Sequence, residues 1–213
     1  MKMNLFEIRD ECRRRLNRYT IKAFSMLPDI DKPLILDAGC GTGVSSLALL
    51  EVCNGTMYAV DPDQASLEWF KEKAVSLNLR DRITIIHDTI LKPALFDFNF
   101  DVILAEGLLN VIGFENGLKA LVAYMKSNGF LLIHDELKND EEKRRYFKSI
   151  NLQLMQSFEL HEDVWLNEYF YCLKSKLEST RNPLADAELK EVEENIRQPE
   201  NLRSIYYILQ HVN

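Results

Sequence analysis

Basic residues and long apolar runs are both scarce in this chain of 213 residues. Lysine and arginine number 26 against 33 aspartates and glutamates, which gives a net charge of −7. Proteins that bind nucleic acid by neutralising phosphates need a large basic surface, so nucleic acid is not expected as a main partner. No apolar stretch reaches the roughly 18 residues of a membrane span, and Glu7 and Asp10 come before the apolar core of any signal peptide. We expect neither export nor a membrane anchor.

Cysteine, glycine and proline are also few. The four cysteines, Cys12, Cys40, Cys53 and Cys172, include no Cys-x-x-Cys pair. Their spacing matches neither a zinc site nor the framework of a small secreted protein, which predicts a cytoplasmic protein without a metal. With 8 glycines and 6 prolines, collagen and low-complexity chains are excluded. A chain of this length forms one α/β core without help from a metal or a disulfide.

Short apolar runs bounded by turn residues alternate with helical patterns after Pro33, which is typical of parallel βαβ units. The candidate strands are Leu34 to Ala38, Met57 to Asp61, Ile83 to His87, Val102 to Ala105 and Phe130 to His134, and the helices start near Thr42, Gln64, Phe114 and Asp140. Continuous apolar runs suit strands that are covered on both faces. The pattern predicts a doubly wound, mostly parallel α/β sheet.

The two ends of the chain are predicted to flank this sheet. A helix runs from Leu5 until Pro28, and its basic face is interpreted as solvated, with contact to an anionic substrate as the alternative. That face carries Arg13, Arg14, Arg15, Arg18 and Lys22. Towards the carboxyl end we predict a strand over Ser157 to Trp165, helices over Asn167 to Ser179 and Asp186 to Gln198, and a strand over Ile205 to Leu209 that returns antiparallel beside the first. These elements make a seven-stranded single domain, with a helical cap (1–32), a cofactor-binding core (33–136) and carboxyl-terminal helices and edge strands (137–213).

The segment most informative about function is the glycine-rich turn that follows the first strand. Gly39, Gly41 and Gly43 allow a sharp bend and a close approach of the backbone to a ligand, and a helix begins directly afterwards. Asp61 ends the next strand, where a carboxylate can accept hydrogen bonds from a ribose. The dinucleotide fingerprint requires glycine where this chain has Val44, which weakens the nicotinamide interpretation.

The segment LDAGCGTG, with Asp61 after the second strand and His87-Asp88 after the third, resembles the class I S-adenosylmethionine-dependent methyltransferases over Pro33 to Glu136. The resemblance implies that S-adenosylmethionine binds along the Gly39 to Gly43 turn. It places Asp37 and Gly39 at the methionine end and Asp61 at the ribose, with Asp88 and Thr89 at the adenine. Helix capping is the alternative role for Asp61 and Asp88.

The methyl acceptor is predicted to be a small molecule. Ala105-Glu106-Gly107 resembles a subset of small-molecule methyltransferases, and the Asn/Asp-Pro-Pro-Tyr/Phe signature of enzymes that methylate nucleic-acid bases is missing there. Glu106 and His134, at two strand ends, are the candidate catalytic residues. The candidate aromatic lining of the acceptor pocket, with a core position as the alternative, is Tyr19, Trp165, Tyr169, Phe170 and Tyr171.

Two other functional classes fit the same sequence. One is a nicotinamide-dependent oxidoreductase that uses NAD(P), and the other is a non-catalytic module that binds S-adenosylmethionine. The sequence predicts neither the oligomeric state nor the atom that is methylated.

Overall fold

Seven strands form one sheet in the computed structural model, which describes residues 4–180 and 183–212. The strands are β1 Leu34–Ala38, β2 Thr56–Asp61, β3 Ile83–His87, β4 Phe100–Glu106, β5 Met125–Glu136, β6 Leu152–Leu160 and β7 Ser204–His211. Their order is β3-β2-β1-β4-β5-β7-β6. Strands β1 to β5 run parallel to one another, and β7 is antiparallel to its neighbours β5 and β6. The predicted doubly wound α/β fold is confirmed.

Helices cover both faces of the sheet and extend beyond one of its edges. The α-helices are α1 Leu5–Arg13, α2 Asn17–Ser25, α3 Val44–Val52, α4 Gln64–Ser76, α5 Leu109–Ile112, α6 Phe114–Val122, α7 Asp140–Ser149, α8 Glu162–Trp165, α9 Tyr171–Ser179 and α10 Pro183–Arg197. Single 3₁₀ turns lie at Arg14–Leu16, Arg80–Arg82 and Pro199–Leu202, and a π-helical segment covers Leu166–Phe170. The predicted domain bounds also include residues 1–3, 181, 182 and 213, which lie outside the described part.

The central strands bury both of their faces, as their continuous apolar runs predict. Ile35 packs into a core that includes Leu49 of α3, whereas its neighbour Leu36 packs into the opposite core with Leu118 of α6 and Phe147 of α7. This alternation follows from the two-residue period of a strand. The sheet is therefore held between two helical layers, and its carboxyl edge is left to the loops.

The prediction of a strand over Ser157 to Trp165 is wrong at both ends. The strand runs from Leu152 to Leu160, and Glu162–Trp165 is helical. The pairing of β6 with β7 shifts register between Leu154 and Gln156, which is a β-bulge. Because of the bulge, Leu152 and Phe158 bury on opposite faces of the sheet, so the strand lacks the regular alternation by which sequence patterns reveal an edge strand. The predicted antiparallel pairing with the last strand is confirmed.

The amino-terminal segment is two helices rather than one, because a 3₁₀ turn at Arg14–Leu16 separates α1 from α2. Ile8 and Cys12 of α1 pack with Phe170, Leu173 and Val192 in an apolar cluster apart from the two sheet cores. A disulfide joins Cys12 to Cys172 of α9, a pairing that the cysteine spacing did not predict. We call α1, the segment 162–179 and α10 the cap. Within the described residues, no helix has the length and apolar character needed to cross a membrane.

Candidate active site

The turn between β1 and α3 is built from hydrogen bonds that only a tightly bent backbone can make. The Gly39 amide donates to the Val60 carbonyl of β2 (2.8 Å), and the Gly43 amide donates to the Cys40 carbonyl (2.8 Å). Gly43 adopts a φ of +74°, and a Cβ added there would lie 2.3 Å from the Phe70 ring of α4. Gly43 is thus required by both backbone conformation and space.

The turn borders a groove of about 190 Å³, which we call the glycine groove. Its lining comes from the turn, from the ends of β1 and β4, and from α1 and α3. The lining residues are Arg13, Asp37, Gly39, Cys40, Gly41, Thr42, Val44, Ser45 and Glu106. A Cβ added to Gly41 would meet nothing within 4 Å. At this position the backbone borders empty space, and a ligand can approach it closely.

Asp37, near the end of β1, is a buried carboxyl group in the floor of this groove. It is 3% exposed and accepts a hydrogen bond from Ser46 of α3. Burial raises the pKa of Asp37 to about 7, the Ser46 hydrogen bond opposes the rise, and the negative charges of Glu106 and Asp61 add to it. The carboxyl groups of the groove therefore carry more negative charge than its one cationic side chain, Arg13, can neutralise. This excess favours a cationic ligand.

The carboxylates predicted after β2 and β3 lie at the same edge of the sheet. Asp61 accepts hydrogen bonds from the Gly41 amide (2.8 Å) and the Asp63 amide (2.8 Å). The amino-terminal cap of α4 is Asp63, whose carboxylate accepts from Ala65 and Ser66, so capping by Asp61 is not needed. This geometry couples Asp61 to the conformation of the glycine turn.

Asp88 follows β3 and is tied to the turn that comes after it. Its carboxylate accepts from the Thr89 amide (2.9 Å) and pairs with Lys92. The hydrogen bond from Lys92 lowers the pKa of Asp88 below its usual value, and the hydrogen bond from Thr89 acts in the same direction. Asp88 is half-buried and ionised at neutral pH.

Glu106, the last residue of β4, is the point where four segments of the chain meet. One carboxylate oxygen accepts hydrogen bonds from Thr20 (2.6 Å) and Tyr206 (2.6 Å). The other accepts from Ser45 (2.6 Å) and from Arg13 (3.3 Å). Burial alone would raise the pKa of Glu106, but the charge of Arg13 and the hydrogen bonds from Ser45 and Thr20 outweigh it and lower the pKa.

The interpretation of the amino-terminal basic face as solvated is wrong for Arg13. Its side chain is 27% exposed, forms the ion pair with Glu106, and places its guanidinium 5.4 Å from the centre of the Trp165 ring. Arg18 of the same face pairs with Glu168 of the cap. The basic face therefore binds the site and the cap as well as facing water.

Comparison with known proteins shows what the part of the chain around this groove is similar to. Residues 35–129 match the family model that is described as a methyltransferase domain. Over this range the chain is similar to methyltransferase domains. With the strand order, this match confirms the predicted class I methyltransferase fold.

The curated relatives are similar in sequence to part of this chain. The chain is 27% identical over 155 residues to the ribosomal protein L11 methyltransferase of Caldanaerobacter subterraneus subsp. tengcongensis. The aligned region covers 70% of this chain and 46% of the relative. The chain spans between 17% and 46% of the length of each of the curated relatives that it matches.

Solved structures extend this likeness to nearly the whole chain. The SAM-dependent methyltransferase of Thiobacillus denitrificans, crystallised with S-adenosylhomocysteine, matches with a TM-score of 0.69 at 15% identity, covering 100% of both chains. The [4+2]-cyclase SpnF matches with a TM-score of 0.78 at 13% identity, covering 92% of this chain and 80% of its own. Such identities show the fold, and one fold serves more than one reaction.

His134 lies near the end of β5 and is 5% exposed. Its Nε2 lies 2.9 Å from the Ser204 hydroxyl, and its ring stacks on Tyr206 with centroids 4.2 Å apart. Burial lowers the pKa of His134 to about 4; the Glu106 carboxylate opposes this fall and Arg13 adds to it. The imidazole is therefore neutral at pH 7, and Ser204 and Tyr206 of β7 hold it in place.

Asp10 fastens the cap to the glycine turn, and sequence patterns gave no signal for it. Its side chain, 4% exposed, accepts hydrogen bonds from Thr42 (2.5 Å) and from the Trp69 indole (2.9 Å), and it pairs with Lys73. An acidic residue in an amphipathic helix is normally assigned to its wet face. Here α1 packs against the glycine turn and α4, so that face is buried.

A second cavity, of about 240 Å³, lies where β5 ends and β7 begins, under the cap. We call it the β5 cavity. Its lining is Arg13, Gly107, Asn110, His134, Asp135, Glu136, Trp165, Phe170, Asn195, Asn201, Leu202, Arg203 and Ser204. Of the aromatic residues predicted to line an acceptor pocket, Trp165 and Phe170 border it, whereas Tyr171 is 49% exposed. In the described part of the chain, no group of three or more His, Cys, Asp and Glu residues is arranged to hold a metal.

Proposed function

We propose that the protein is an S-adenosylmethionine-dependent methyltransferase that acts on a small-molecule acceptor. The observation that carries the proposal is the row of carboxylates on three adjacent strands, Asp37 on β1, Asp61 on β2 and Asp88 after β3. Asp37 lines the glycine groove, and Asp61 accepts a hydrogen bond from the Gly41 amide of its wall. In open α/β sheets, ligands bind at the carboxyl ends of the strands. The methyltransferase domain matched over residues 35–129 supports the same function.

The proposed roles follow the order of these strands. Gly39, Gly41 and Gly43 bring the backbone against the methionine part of the cofactor. Asp61 binds the ribose hydroxyls, with Asp88 and Thr89 at the adenine. The fit is supported by the raised pKa of Asp37, because a carboxyl group that burial and nearby anions keep partly protonated gains most from a cationic ligand. Bound S-adenosylmethionine supplies a sulfonium methyl group that passes to the acceptor, and the bonding electrons stay on sulfur.

Glu106 and His134 are proposed to position groups rather than to transfer protons. Glu106 is ionised and accepts hydrogen bonds on both oxygens, which leaves a weak base. His134 has a pKa of about 4 and is anchored beside Ser204. Effective bases have a pKa near the working pH. The catalytic contribution of this chain is therefore orientation of two bound molecules and exclusion of water.

The acceptor is proposed to be small because the space beside the groove is small. The β5 cavity, about 240 Å³, is below the roughly 300 to 1,000 Å³ typical of drug-sized ligand sites. One curated relative acts on ribosomal protein L11, so a protein acceptor is the competing outcome. The excess of acidic residues speaks against nucleic acid.

We also propose that residues 1–32, 33–136 and 137–213 work as one domain, because α1 contacts both the glycine turn and α9. A cytoplasmic location stays a prediction, and the Cys12–Cys172 disulfide counts against it, since disulfides are rare in reducing compartments. To measure whether that pair is oxidised in the cell, the thiols are alkylated during cell lysis and the mass of the intact protein is determined by mass spectrometry.

The deciding experiment is calorimetric titration with S-adenosylmethionine, S-adenosylhomocysteine and the oxidised and reduced nicotinamide dinucleotides. We expect the first two to bind and the dinucleotides to give no heat. Asp61→Ala is expected to weaken binding at least tenfold, about 1.4 kcal/mol. Asp81→Ala is the matched control, because Asp81 is exposed and precedes the opposite end of β3.

Binding without turnover would favour the non-catalytic module. Release of S-adenosylhomocysteine is therefore measured by mass spectrometry across small hydroxyl- and amine-bearing compounds and intact ribosomal proteins. Dinucleotide binding in place of both methionine-derived ligands would overturn the proposal in favour of the oxidoreductase. Turnover with a protein alone would keep methyl transfer and refute the small acceptor.

A further inference from the structure

We propose that the β5 cavity binds the methyl acceptor and that Arg13 recognises a carboxylate on it, so that the acceptor is a small carboxylic acid. This inference rests on the proposed function. Its starting point is the position of Arg13, which borders both the β5 cavity and the glycine groove. A molecule held there by its carboxylate would lie next to a ligand in the groove, as transfer between two bound molecules requires.

The guanidinium of Arg13 has more hydrogen-bond donors than the protein uses. An arginine side chain carries five N–H groups. Within the described residues, the acceptor that Arg13 reaches is Glu106, at 3.3 Å from Nη2. Glu106 accepts three shorter hydrogen bonds, of 2.6 Å each, from hydroxyl groups. The donors at Nε and Nη1 of Arg13 are therefore left for another acceptor.

These donors lie where a ligand can reach them. The side chain of Arg13 is 27% exposed, and none of the buried polar atoms that lack a partner in the described part of the chain belongs to it. The centre of the guanidinium lies 5.4 Å from the centre of the Trp165 ring, which is a wall of the β5 cavity. The Trp165 indole donates to Ser204 (2.8 Å), which fixes the ring. The unused donors are thus held at accessible surface beside a rigid wall of the cavity.

The other charged side chains that line the β5 cavity are paired or face the solvent. Arg203 pairs with Glu159 at 2.8 Å. Asp135 pairs with Lys143 at 2.6 Å, and Glu136 is exposed. Selection of a ligand by its charge is therefore left to the guanidinium at the junction with the glycine groove.

A carboxylate fits this position better than a phosphate dianion or a cation. Its two oxygens match the planar fork of a guanidinium, which can donate two parallel hydrogen bonds. A dianion would bring two negative charges to a group that already shares its charge with Glu106, and Arg13 would repel a cation. The aromatic walls, Trp165 and Phe170, favour a flat apolar body beside the carboxylate.

The test compares benzoate, benzamide and benzamidinium, three flat molecules of similar shape that are negative, neutral and positive. Binding is followed by the indole N–H resonances of ¹⁵N-labelled protein, which contains two tryptophans. Trp165 borders the cavity, while Trp69 donates to Asp10 and serves as the internal reference. We expect benzoate to shift the Trp165 resonance at a half-saturating concentration at least fivefold below that of benzamide, and benzamidinium to bind more weakly still. Equal half-saturation by benzoate and benzamide in wild type overturns the proposal.

Arg13→Gln is expected to abolish the preference for benzoate, because glutamine keeps a donor and loses the charge. A purely structural role of Arg13 would weaken all three probes equally, and this result would overturn the proposal. Arg13→Lys should keep part of the preference, since lysine retains the charge without the fork. Arg15→Gln is the matched control and should keep the wild-type ranking, because Arg15 is exposed.

Arg203→Gln keeps the proposal testable if Arg13→Gln fails to fold. A retained preference for benzoate in Arg203→Gln supports the assignment to Arg13, because Arg203 is the other cationic side chain of the lining. Loss of the preference in Arg203→Gln overturns that assignment.

The methionine part of the proposed cofactor also carries a carboxylate, so a second titration identifies the ligand that Arg13 holds. S-adenosylmethionine and its decarboxylated analogue are titrated into wild type, Arg13→Gln and Arg13→Lys. We expect the ratio of the two affinities to be the same in all three proteins. A fall of this ratio by at least fivefold in the variants would assign Arg13 to the cofactor and overturn the proposal.

Because the benzoate series needs no cofactor, its result is independent of the calorimetry. Failure of both methionine-derived ligands to bind would refute the proposed function, while the preference for benzoate still reports on the β5 cavity. Cofactor binding without a preference for benzoate would keep the proposed function and refute this inference.

Discussion

Glu106 shows how a buried charge at a strand end can organise a site. An unpaired buried carboxylate is strongly disfavoured, so its oxygens must find donors. The donors come from the amino-terminal helices, from α3 and from β7, with Arg13 and Tyr206 at opposite ends of the chain. Glu106, which was predicted to be catalytic, therefore connects the cap, the glycine groove and the carboxyl-terminal strand to one another.

At Asp37 we predict that cofactor binding depends on pH. Its pKa of about 7 means that the carboxyl group is partly protonated at neutral pH. The sulfonium cation favours the ionised form, so below pH 7 binding must displace a proton and becomes weaker. We expect S-adenosylmethionine to bind about tenfold more weakly at pH 6 than at pH 8, measured by calorimetry. At pH 7 about half a proton should be released per cofactor bound.

The proton release is measured by repeating the titration in buffers of different ionisation enthalpy. Asp37→Asn keeps an acceptor for Ser46 and removes the titrating group, so its affinity should be flat between pH 6 and pH 8. An equally steep pH dependence in this variant would assign the effect to another group.

Residues that end strands could be located from sequence, whereas residues that reach the site from elsewhere could not. Asp61, Asp88 and Glu106 follow apolar runs, and the parallel sheet brings such positions to one edge. Arg13 and Asp10 reach the same edge from a helix whose docking depends on contacts with residues 93 and 32 positions away. No local pattern encodes contacts of that range.

At the scale of elements, two glycines of the same turn are predicted to have different roles, Gly43 in stability and Gly41 in ligand binding. Gly43→Ala would force a Cβ to within 2.3 Å of the Phe70 ring, which lies in the core, whereas Gly41→Ala would place it where nothing lies within 4 Å. Both changes carry the cost of a positive φ, about 1–2 kcal/mol. Gly43→Ala should lose a further 1–3 kcal/mol or so through overpacking.

Urea unfolding should therefore show a larger loss of unfolding free energy for Gly43→Ala. Calorimetry should show a loss of S-adenosylhomocysteine binding for Gly41→Ala even though that variant is folded, because the new methyl group occupies the glycine groove. Full binding by folded Gly41→Ala would mean that the ligand does not approach this backbone.

The disulfide between α1 and α9 is predicted to hold these two helices of the cap together. It closes a loop with a sequence separation of 160, so its removal costs about 2–5 kcal/mol of unfolding free energy. The double variant Cys12→Ala/Cys172→Ala should unfold at lower urea and be cut faster by trypsin in α1, which contains Arg9 and Arg13.

Cys53→Ala, which changes a half-buried free cysteine, is the matched control and should leave α1 protected. Equal trypsin rates for the double variant and wild type would show that packing of Ile8 and its apolar neighbours holds α1 without the covalent link.

Central elements were predictable because burial on both faces leaves a continuous apolar run. The bounds of β1 and β3 agree with the predicted ones, while β5 extends beyond its predicted range in both directions. The bounds of the edge strand β6 were not predicted correctly, because its bulge at Met155 moves the apolar side chains from one face of the sheet to the other. A two-residue period cannot describe a strand that changes face.

For the whole molecule, the order of the strands places chemistry that is distant in sequence at one edge. The crossover from β3 back to β4 puts β1 between β2 and β4, with Asp61 on one side and Glu106 on the other. The cap then covers this edge through contacts of α1 with the glycine turn and with Glu106. Ligand binding at the edge should therefore stabilise the whole fold, because the strands unfold together with the site that they form.

We predict that S-adenosylhomocysteine raises the melting temperature and that NAD does not. A ligand at a concentration of 100 times its Kd stabilises the folded state by about 2.7 kcal/mol. For a chain of about 200 residues, 1 kcal/mol corresponds to roughly 2–4 °C, so the rise should be about 5–10 °C in a thermal unfolding scan. Asp61→Ala should lose most of this rise and Asp81→Ala should keep it, because only the first carboxylate contacts the glycine turn. A comparable rise with NAD, or none with S-adenosylhomocysteine, would show that this edge of the sheet is built for another ligand.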